Sequence, residues 1–500
     1  MMITILGLGP GRAELLTREA WETLSAATEL YVRTARHPTV SNPSTLLRTS
    51  LQSSNYQLPI TIYSFDDLYD STEKFEDVYR QIVEQVIELG RRPQGVLYAV
   101  PGHPAVGEAT VEQIRRRARE LNIPVRLISG LSFVEPTLSA LNVDALPGLF
   151  VADALDLAAR AHPSFSPDSP ALIAQLYSAG LASDVKLTLM NQYADDHRVA
   201  LIHAVGTDEE RVEWMSLYEI DRSAHIAHLS SLFIPPLARA GSFEAFQNTI
   251  ARLRAPDGCP WDREQTHQTL REHLLEETYE TLAAIDAADP DMLREELGDL
   301  LLQVVLQTQI AIDDGEFNMA DVVAGVNDKL IRRHPHVFGD LKLNGADEVV
   351  VNWEKLKEKE RAGNPARKKD GVPASLLSSI PLALPALAQA YAYQSRAARV
   401  GFDWPDVSGP RAKVDEEIAE IEAARTESAT MAEMGDLLFA IVNWARWLKV
   451  EPESALREAN QRFAKRLAFI ESEAKAQGRE LSAMTLMEMD ALWEKAKQNS

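Results

Sequence analysis

The sequence predicts a multidomain chain in which an α/β region is followed by two all-α modules. Three observations carry that reading. Strand-like runs alternate with helix-like ones up to about residue 240, long amphipathic patterns take over from Phe243, and the second half contains a duplication. The length agrees, since 500 residues at roughly 150 per domain make about three domains. A hydrophobic content of 45 % is enough to give each a core, which excludes a disordered tail or a disulfide-stapled miniprotein.

The first strand is read over residues 3–8, ending in Gly7-Leu8-Gly9-Pro10-Gly11, with helix-like Ala13 to Leu24 after it. A second strand, Gly95 to Val100, runs into Pro101-Gly102-His103-Pro104, and the helix after it carries Arg115-Arg116-Arg117. A third, Val125 to Ile128, ends at Ser129-Gly130-Leu131-Ser132, and Val185 to Met190 and Val199 to Val205 also read as strands. Beyond Ile234-Pro235-Pro236 the pattern becomes helical. A polar stretch with glycine and proline, Ala362 to Gly371, divides it in two. The expected limits are 1–225 for the α/β domain, 243–361 for the first helical module, 362–377 for a linker and 378–500 for the second module.

The two helical blocks repeat five landmarks in one order. Block one has Gly258-Cys259-Pro260-Trp261, Glu276-Glu277-Thr278-Tyr279-Glu280, Glu295-Glu296-Leu297-Gly298-Asp299, Asn327 to Arg333, and Trp353 to Lys357. Block two has Gly401-Phe402-Asp403-Trp404, Glu416-Glu417-Ile418-Ala419-Glu420, Glu433-Met434-Gly435-Asp436, Asn460 to Arg466, and Trp493 to Lys497. Chance composition does not produce five landmarks with matching gaps, so one module is present twice.

Residues three or four apart share a helix face, so Glu277 with Glu280 and Glu296 with Asp299 form carboxylate pairs beside an apolar stripe of Leu274, Leu275, Leu282, Ile285, Leu297, Leu300 and Leu301. Like charges at that spacing repel unless cations neutralise them, and hard oxygen donors suit Mg²⁺ or Mn²⁺. A lone Glu-Glu-x-x-Glu is ordinarily a solvated face. Its recurrence as Glu417, Glu420, Glu433 and Asp436 favours metal binding, although Ala432 stands where block one has Glu295. Lys329 with Arg333, and Arg462 with Arg466, are basic pairs one turn apart; alone they read as solvated faces, with the carboxylates as a triphosphate clamp. Trp353 with Lys357 recurs as Trp493 with Lys497, and the indoles either stack on a base or anchor the last helix. His334-Pro335-His336 reads as a helix terminator.

Lys and Arg number 51 against 74 Asp and Glu, a net charge of −23. That balance disfavours duplex nucleic acid and anionic membrane as partners, while a small phosphorylated ligand can still bind through metal ions. The single cysteine, Cys259, excludes an internal disulfide framework and suits a reducing cytoplasm. The N-terminus lacks a signal peptide's basic head and long apolar core, and no run reaches 18 apolar residues, so a cytoplasmic protein is expected.

The paired carboxylate motifs, Arg332-Arg333-His334-Pro335-His336-Val337-Phe338 and Val400-Gly401-Phe402-Asp403-Trp404 resemble the MazG family of nucleoside triphosphate pyrophosphohydrolases over roughly residues 243–500. The resemblance implies an all-α fold that dimerises and a Mg²⁺-dependent cleavage of NTP to NMP and pyrophosphate. The glycine turn Gly7, Gly9 and Gly11, with Gly102, His103, Pro104 and Ser132 at later strand ends, resembles the tetrapyrrole methylase family of S-adenosylmethionine enzymes, in a fusion to MazG of the YabN type. His103 stands where many of those methylases carry Asp. The function expected is metal-dependent hydrolysis of nucleoside triphosphates with an appended methylase-like domain. The rival readings are a methyltransferase with a regulatory nucleotide-binding helical half, and a non-catalytic nucleotide-sensing module.

Overall fold

The computed structural model describes residues 1–41, 60–72, 74–346, 348–349, 351–353, 356, 360, 376–377 and 380–498. They fall into two compact units, Met1–Ala324 and Gly325–Ser500. Most of the expected linker, and Lys357, lie outside the described residues.

The N-terminal region contains two five-stranded sheets. The first has the order β3-β2-β4-β1-β5, with β1 Ile3–Gly7, β2 Glu29–Val32, β3 Thr61–Ser64, β4 Val96–Val100 and β5 Val125–Ile128, all parallel. Ile3 pairs with Val96 on one side and Val125 on the other. A parallel sheet is covered on both faces, and so β1 and β4 are almost continuously apolar. Ile3, Ile5, Tyr98 and Val100 face one core with Ile82, Val86 and Ile114, while Leu6, Ala99 and Ile128 face another with Leu24 and Leu30. The helices on these faces are α1 Arg18–Ala26, α2 Phe75–Gly90 and α3 Ala109–Glu120; α4, Val134–Leu141, follows β5.

The second sheet has the order β6-β7-β10-β8-β9, with β6 Phe150–Asp153, β7 Ala171–Ala174, β8 Arg198–His203, β9 Arg211–Ser216 and β10 Ser230–Ile234. β6 and β7 are parallel and the remaining pairs antiparallel. The α/β class holds, with two corrections in detail. Val185 to Met190, expected as a strand, lies in and just after helix α5, Ala179–Leu189. There Leu181, Ala182, Val185 and Leu189 are buried at helical spacing, and Ser178 caps the start by accepting from the Leu181 N–H. The helix expected over Ala13 to Leu24 is interrupted at Leu16-Thr17: Thr17 takes an extended backbone, caps α1 and donates to the Ser129 carbonyl at 2.9 Å.

After β10 the described residues form helices only. Asp168 secures the start of the first, α6 Phe243–Arg254, by accepting from the Gly241 N–H at 2.8 Å and from the Ser242 N–H and hydroxyl. Next come α7 Pro260–Glu264, α8 Arg271–Ala287, α9 Pro290–Asp313, α10 Met319–Arg333 and α11 Pro335–Phe338. Ile250, Leu270, Val305, Leu306, Ile310 and Met319 make their core. His334 leaves helical geometry between α10 and α11, as a proline following it requires. The second block consists of α12 Ala386–Ala398, α13 Ser408–Ala423, α14 Glu427–Trp447, α15 Pro452–Ala476 and α16 Leu486–Gln498. Among the described residues no helix is long and apolar enough to cross a membrane.

The glycine turn after β1 is braced from behind. Buried His37 donates from Nε2 to the Gly9 carbonyl at 2.9 Å and accepts the Thr39 N–H at Nδ1, while the Thr39 hydroxyl donates to the Gly11 carbonyl at 2.6 Å. Burial lowers the His37 pKa from 6.5 to about 4. The unfolded chain then takes up the proton first, so the contribution to stability is full above pH 6.5 and is lost as pH falls through 6.5 toward 4, by about 3 kcal/mol at most. Unfolding free energy measured against pH for wild type and His37→Gln should show the wild-type advantage at pH 7 shrinking by pH 4.5. A pH-independent difference would refute the buried neutral imidazole.

Candidate functional site

The carboxylates sit on two helical hairpins, one in each block. α8 and α9 are joined by Ala288, in the left-handed region at φ 51°, and by Asp289, which caps α9 by accepting from Asp291 and Met292. That short turn makes the helices antiparallel neighbours. The buried Thr281 hydroxyl bonds the Glu277 carbonyl at 2.8 Å and contacts the Glu296 carbonyl of the facing helix at 3.4 Å. This register sets Glu277 and Glu280 opposite Glu296, with one ligand atom from each within 4.8 Å of the others. α13 and α14 do the same for Glu417, Glu420 and Glu433.

The fourth expected member of each set, Asp299 or Asp436, lies outside the tight group. Asp299 still acts on it electrostatically. The Glu277 pKa is raised by partial burial and by repulsion from Asp299, Glu280, Glu276 and Glu296. Burial, Glu280, Asp299 and Glu295 raise that of Glu296. Glu420 is likewise raised by burial, Glu417 and Glu433, against the opposing pull of Lys413. Carboxylates that repel at this range are stabilised by a cation between them, and three hard oxygen donors on rigid helices fit Mg²⁺ or Mn²⁺.

The copies differ in one respect that the sequence motifs did not isolate. Lys413 lies 2.7 Å from Glu417 and 3.0 Å from Glu416, and its pKa is raised by both. Glu417 is 3 % exposed, and its Oε2 is buried without a hydrogen-bond partner, so one oxygen faces the ammonium while the other keeps its coordinating capacity. Block one has His273 at the matching position, 3.6 Å from Glu276. The signal was available: Lys413 is four residues before Glu417, the spacing of a same-face ion pair.

The basic residues have other partners. Arg333 is 2.6 Å and Arg332 2.8 Å from Glu360, whose pKa falls to about 2. Lys329 is partly exposed on α10. Arg462 pairs with Glu458 at 3.2 Å. Arg466 lies over the Trp493 ring at 5.5 Å, and that ring packs on Phe463 and on the core around Ile470 and Leu492. Lys497 is held by Glu494 at 2.5 Å, and the Trp353 ring stands 6.3 Å from that of His334.

In the N-terminal domain the three loops expected to bind a cofactor do converge. Gly9 and Gly102 form an antiparallel bridge, and a Cβ on Gly7 would come within 2.5 Å of the Gly102 carbonyl and 2.7 Å of the Gly130 nitrogen. Only glycine allows the ends of β1, β4 and β5 to meet so closely. Gly102 itself is at φ 65°, a backbone conformation that favours glycine, and a Cβ there would meet only the Leu131 carbonyl, at 3.9 Å. His103 accepts the Ala105 N–H at 3.0 Å, and Ser132 bonds Glu135 through its N–H and hydroxyl. Pro104 is buried in the same turn, and Gly11 approaches Gly206 too closely for a Cβ.

The raised carboxylates predict a metal-linked stability. In the metal-free chain Glu277, Glu296 and Glu420 hold protons above the ordinary carboxyl range, so stability is lost as pH rises through that window. A cation that binds only the folded chain restores it above the window. Thermal unfolding should rise by a few degrees on adding millimolar Mg²⁺ at pH 7.5 and much less at pH 5, and Glu277→Gln should raise the metal-free midpoint while shrinking the Mg²⁺ shift. Equal shifts at both pH values would contradict the cluster's electrostatics.

Two family models match the chain: "Tetrapyrrole (Corrin/Porphyrin) Methylases" over residues 2–221 and "MazG nucleotide pyrophosphohydrolase domain" over residues 265–338. The Bacillus subtilis protein YabN is 41 % identical over 504 residues, covering 99 % of this chain and 98 % of its own. The "Nucleoside triphosphate pyrophosphohydrolase/pyrophosphatase MazG" of Thermotoga maritima is 43 % identical over 255 residues, 51 % of this chain and 95 % of its own. The "Nucleoside triphosphate pyrophosphohydrolase" of Escherichia coli K12 is 44 % identical over 254 residues, 50 % of this chain and 94 % of its own. A parallel glycine-turned sheet leading into duplicated carboxylate hairpins, matched over 99 % of the chain by one relative, therefore identifies the chain as a member of the YabN family of tetrapyrrole methylase–MazG fusions.

Proposed function

We propose that the chain is a nucleoside triphosphate pyrophosphohydrolase that depends on Mg²⁺ or Mn²⁺ and cleaves between the α and β phosphates to give NMP and pyrophosphate. The observation that carries this is the repeated triad of mutually repelling carboxylates on paired helices. Relatives named for this reaction over the same half of the chain support it.

In this reading Glu277, Glu280, Glu296 and Asp299, and in block two Glu417, Glu420, Glu433 and Asp436, hold the cation, the three glutamates of each set forming its tight group. When bound, the cation polarises the phosphate and lowers the pKa of water beside it. A carboxylate of the cluster takes the proton as the water oxygen bonds to the α-phosphorus; the bond to the bridging oxygen breaks and pyrophosphate leaves with the electron pair. Lys329 and Arg462, with Arg333 and Arg466, hold the outer phosphate oxygens, and Lys357 and Lys497 extend that set. Arg333 must then exchange Glu360 for phosphate. Trp493, packed between Phe463 and Arg466, serves as an anchor of the last helix, and Trp353 is assigned the same role by the repeat.

The working limits are 1–225 for the methylase-like domain, 243–361 and 378–500 for the MazG modules, and 362–377 for the linker. The loops of Gly7, Gly9, Gly11, Gly102, His103, Pro104 and Ser132 are assigned to S-adenosylmethionine, since they are drawn together at the carboxyl ends of a parallel sheet, where ligands of α/β folds gather. Leu275, Ile285, Leu297 and Leu301 remain exposed beside the first triad, and Ile418, Leu438 and Phe439 beside the second. Apolar helix faces of that extent call for a helical partner, and we assign a second copy of the chain, making a homodimer. The nucleotide pool such an enzyme acts on is cytoplasmic, and a net charge of −23 keeps it off nucleic acid.

Substituting Glu280→Gln and Glu420→Gln, singly and together, apportions turnover between the triads. Each single change should lower its own site's pyrophosphate release by orders of magnitude, and the double change should leave almost none. Wild-type release from the double variant, or orthophosphate as the first product, would refute the assignment.

A further inference from the structure

Trp261 is a large indole left 54 % exposed on a segment that is elaborately fixed. The Cys259 N–H donates to the Leu253 carbonyl at 2.7 Å across a turn that needs Gly258, because a Cβ there would strike that same carbonyl. Pro260 pre-sets the first turn of α7. Arg254, with its side chain 8 % exposed, pairs with Asp313 at 2.7 Å and donates to the carbonyls of Gln265, at 3.2 Å, and Asp262. The Gln265 side chain donates to the Trp261 carbonyl at 3.0 Å. A buried guanidinium and a glycine turn thus hold in place a ring that contributes little to the core.

The ring is placed beside the first triad. Its edge meets His273 with centroids 6.2 Å apart at 68°. His273 is one helical turn, about 5.4 Å along the axis, before Glu277. An aromatic face set just beyond that turn suits a ligand whose flat ring and phosphates are joined through a ribose.

We propose that Trp261 is the platform on which the base of the triphosphate stacks while its phosphates lie at Glu277, Glu280 and Glu296. The inference rests on the pyrophosphohydrolase reading and adds to it how block one holds its substrate. Every base offers a π-face, so a stacking platform tolerates all four bases and favours the larger purines. Block two sets its indole differently. Trp404, 44 % exposed, occupies the matching position, but its ring lies against the start of the following helix, α13, where a Cβ on Gly409 would collide with it. The preceding Asp403 is tied to Arg446 at 3.0 Å and to the Trp447 indole at 3.2 Å. The two modules therefore hold the base differently.

The test uses the full chain carrying Glu420→Gln and Glu433→Gln, so that turnover belongs to block one, with Trp261→Ala and Trp261→Phe added in turn. Pyrophosphate release is followed with ATP, GTP, CTP, UTP and ribose 5′-triphosphate. Trp261→Ala should raise KM for all four nucleotides about tenfold, most for the purines, with kcat within about twofold, and Trp261→Phe should recover most of the loss. Ribose 5′-triphosphate, which has no base, should start from a higher KM and lose much less. Affinity for a non-hydrolysable ATP analogue, measured on the same proteins, reads the platform apart from turnover. If the parent releases no pyrophosphate, hydrolysis by block one is wrong. If analogue affinity is equal in the parent and in Trp261→Ala, the platform is wrong. A loss shared equally by ribose 5′-triphosphate, or a change of oligomeric state by light scattering, would also overturn it, by giving Trp261 a structural or subunit-contact role.

Discussion

The constraint on which the helical half depends is the repulsion among carboxylates that helix packing forces together. The backbone positions of Glu277, Glu280 and Glu296 are held opposite one another, because the register of α8 and α9 is set by the Ala288–Asp289 turn and by Thr281 between the helices. The pKa values of Glu277 and Glu296 are raised first by loss of hydration and then by repulsion from the neighbouring carboxylates. A site that stores repulsion without a cation is set up to bind one, because the free energy released on neutralisation was already invested in folding.

The duplicate copy meets the same constraint by another route. Lys413 places an ammonium on Glu417, so part of the charge is balanced from within the chain, while the second Glu417 oxygen is buried without a hydrogen-bond partner. Block one has no ammonium at that place; its histidine there is beside Glu276 and edge-on to Trp261. Equal motifs thus sit in unequal surroundings. In the N-terminal domain the governing constraint is steric: three strand ends meet because Gly7 and Gly130 lack side chains, and buried His37 and Thr39 hold the first turn in that position.

Much of this was legible in the sequence, for identifiable reasons. The triads were visible because helical spacing alone puts Glu277 and Glu280 on one face, and because the repeat marked which of many glutamates to follow. Neither clue fixes interhelical register, which is what brings Glu296 and Glu433 within 4.8 Å of the pairs on the facing helices. Partners distant in sequence were out of reach: nothing local links Arg333 to Glu360 or Arg254 to Asp313. The Val185 to Met190 segment misled because its β-branched residues outweighed the helical spacing of Leu181, Val185 and Leu189. The short strands β2, β3, β6, β7, β9 and β10 were not singled out, being four to six residues long and set by pairing more than by pattern.

The most direct measurement of the central claim is Mn²⁺ binding followed by electron paramagnetic resonance on the nucleotide-free chain. Triads built to be neutralised should bind Mn²⁺ in wild type, lose one class of site in Glu277→Gln or Glu417→Gln, and lose both in the double variant. Unchanged binding in the double variant would contradict the account, since the ion would then be held somewhere other than the carboxylates whose repulsion it is supposed to relieve.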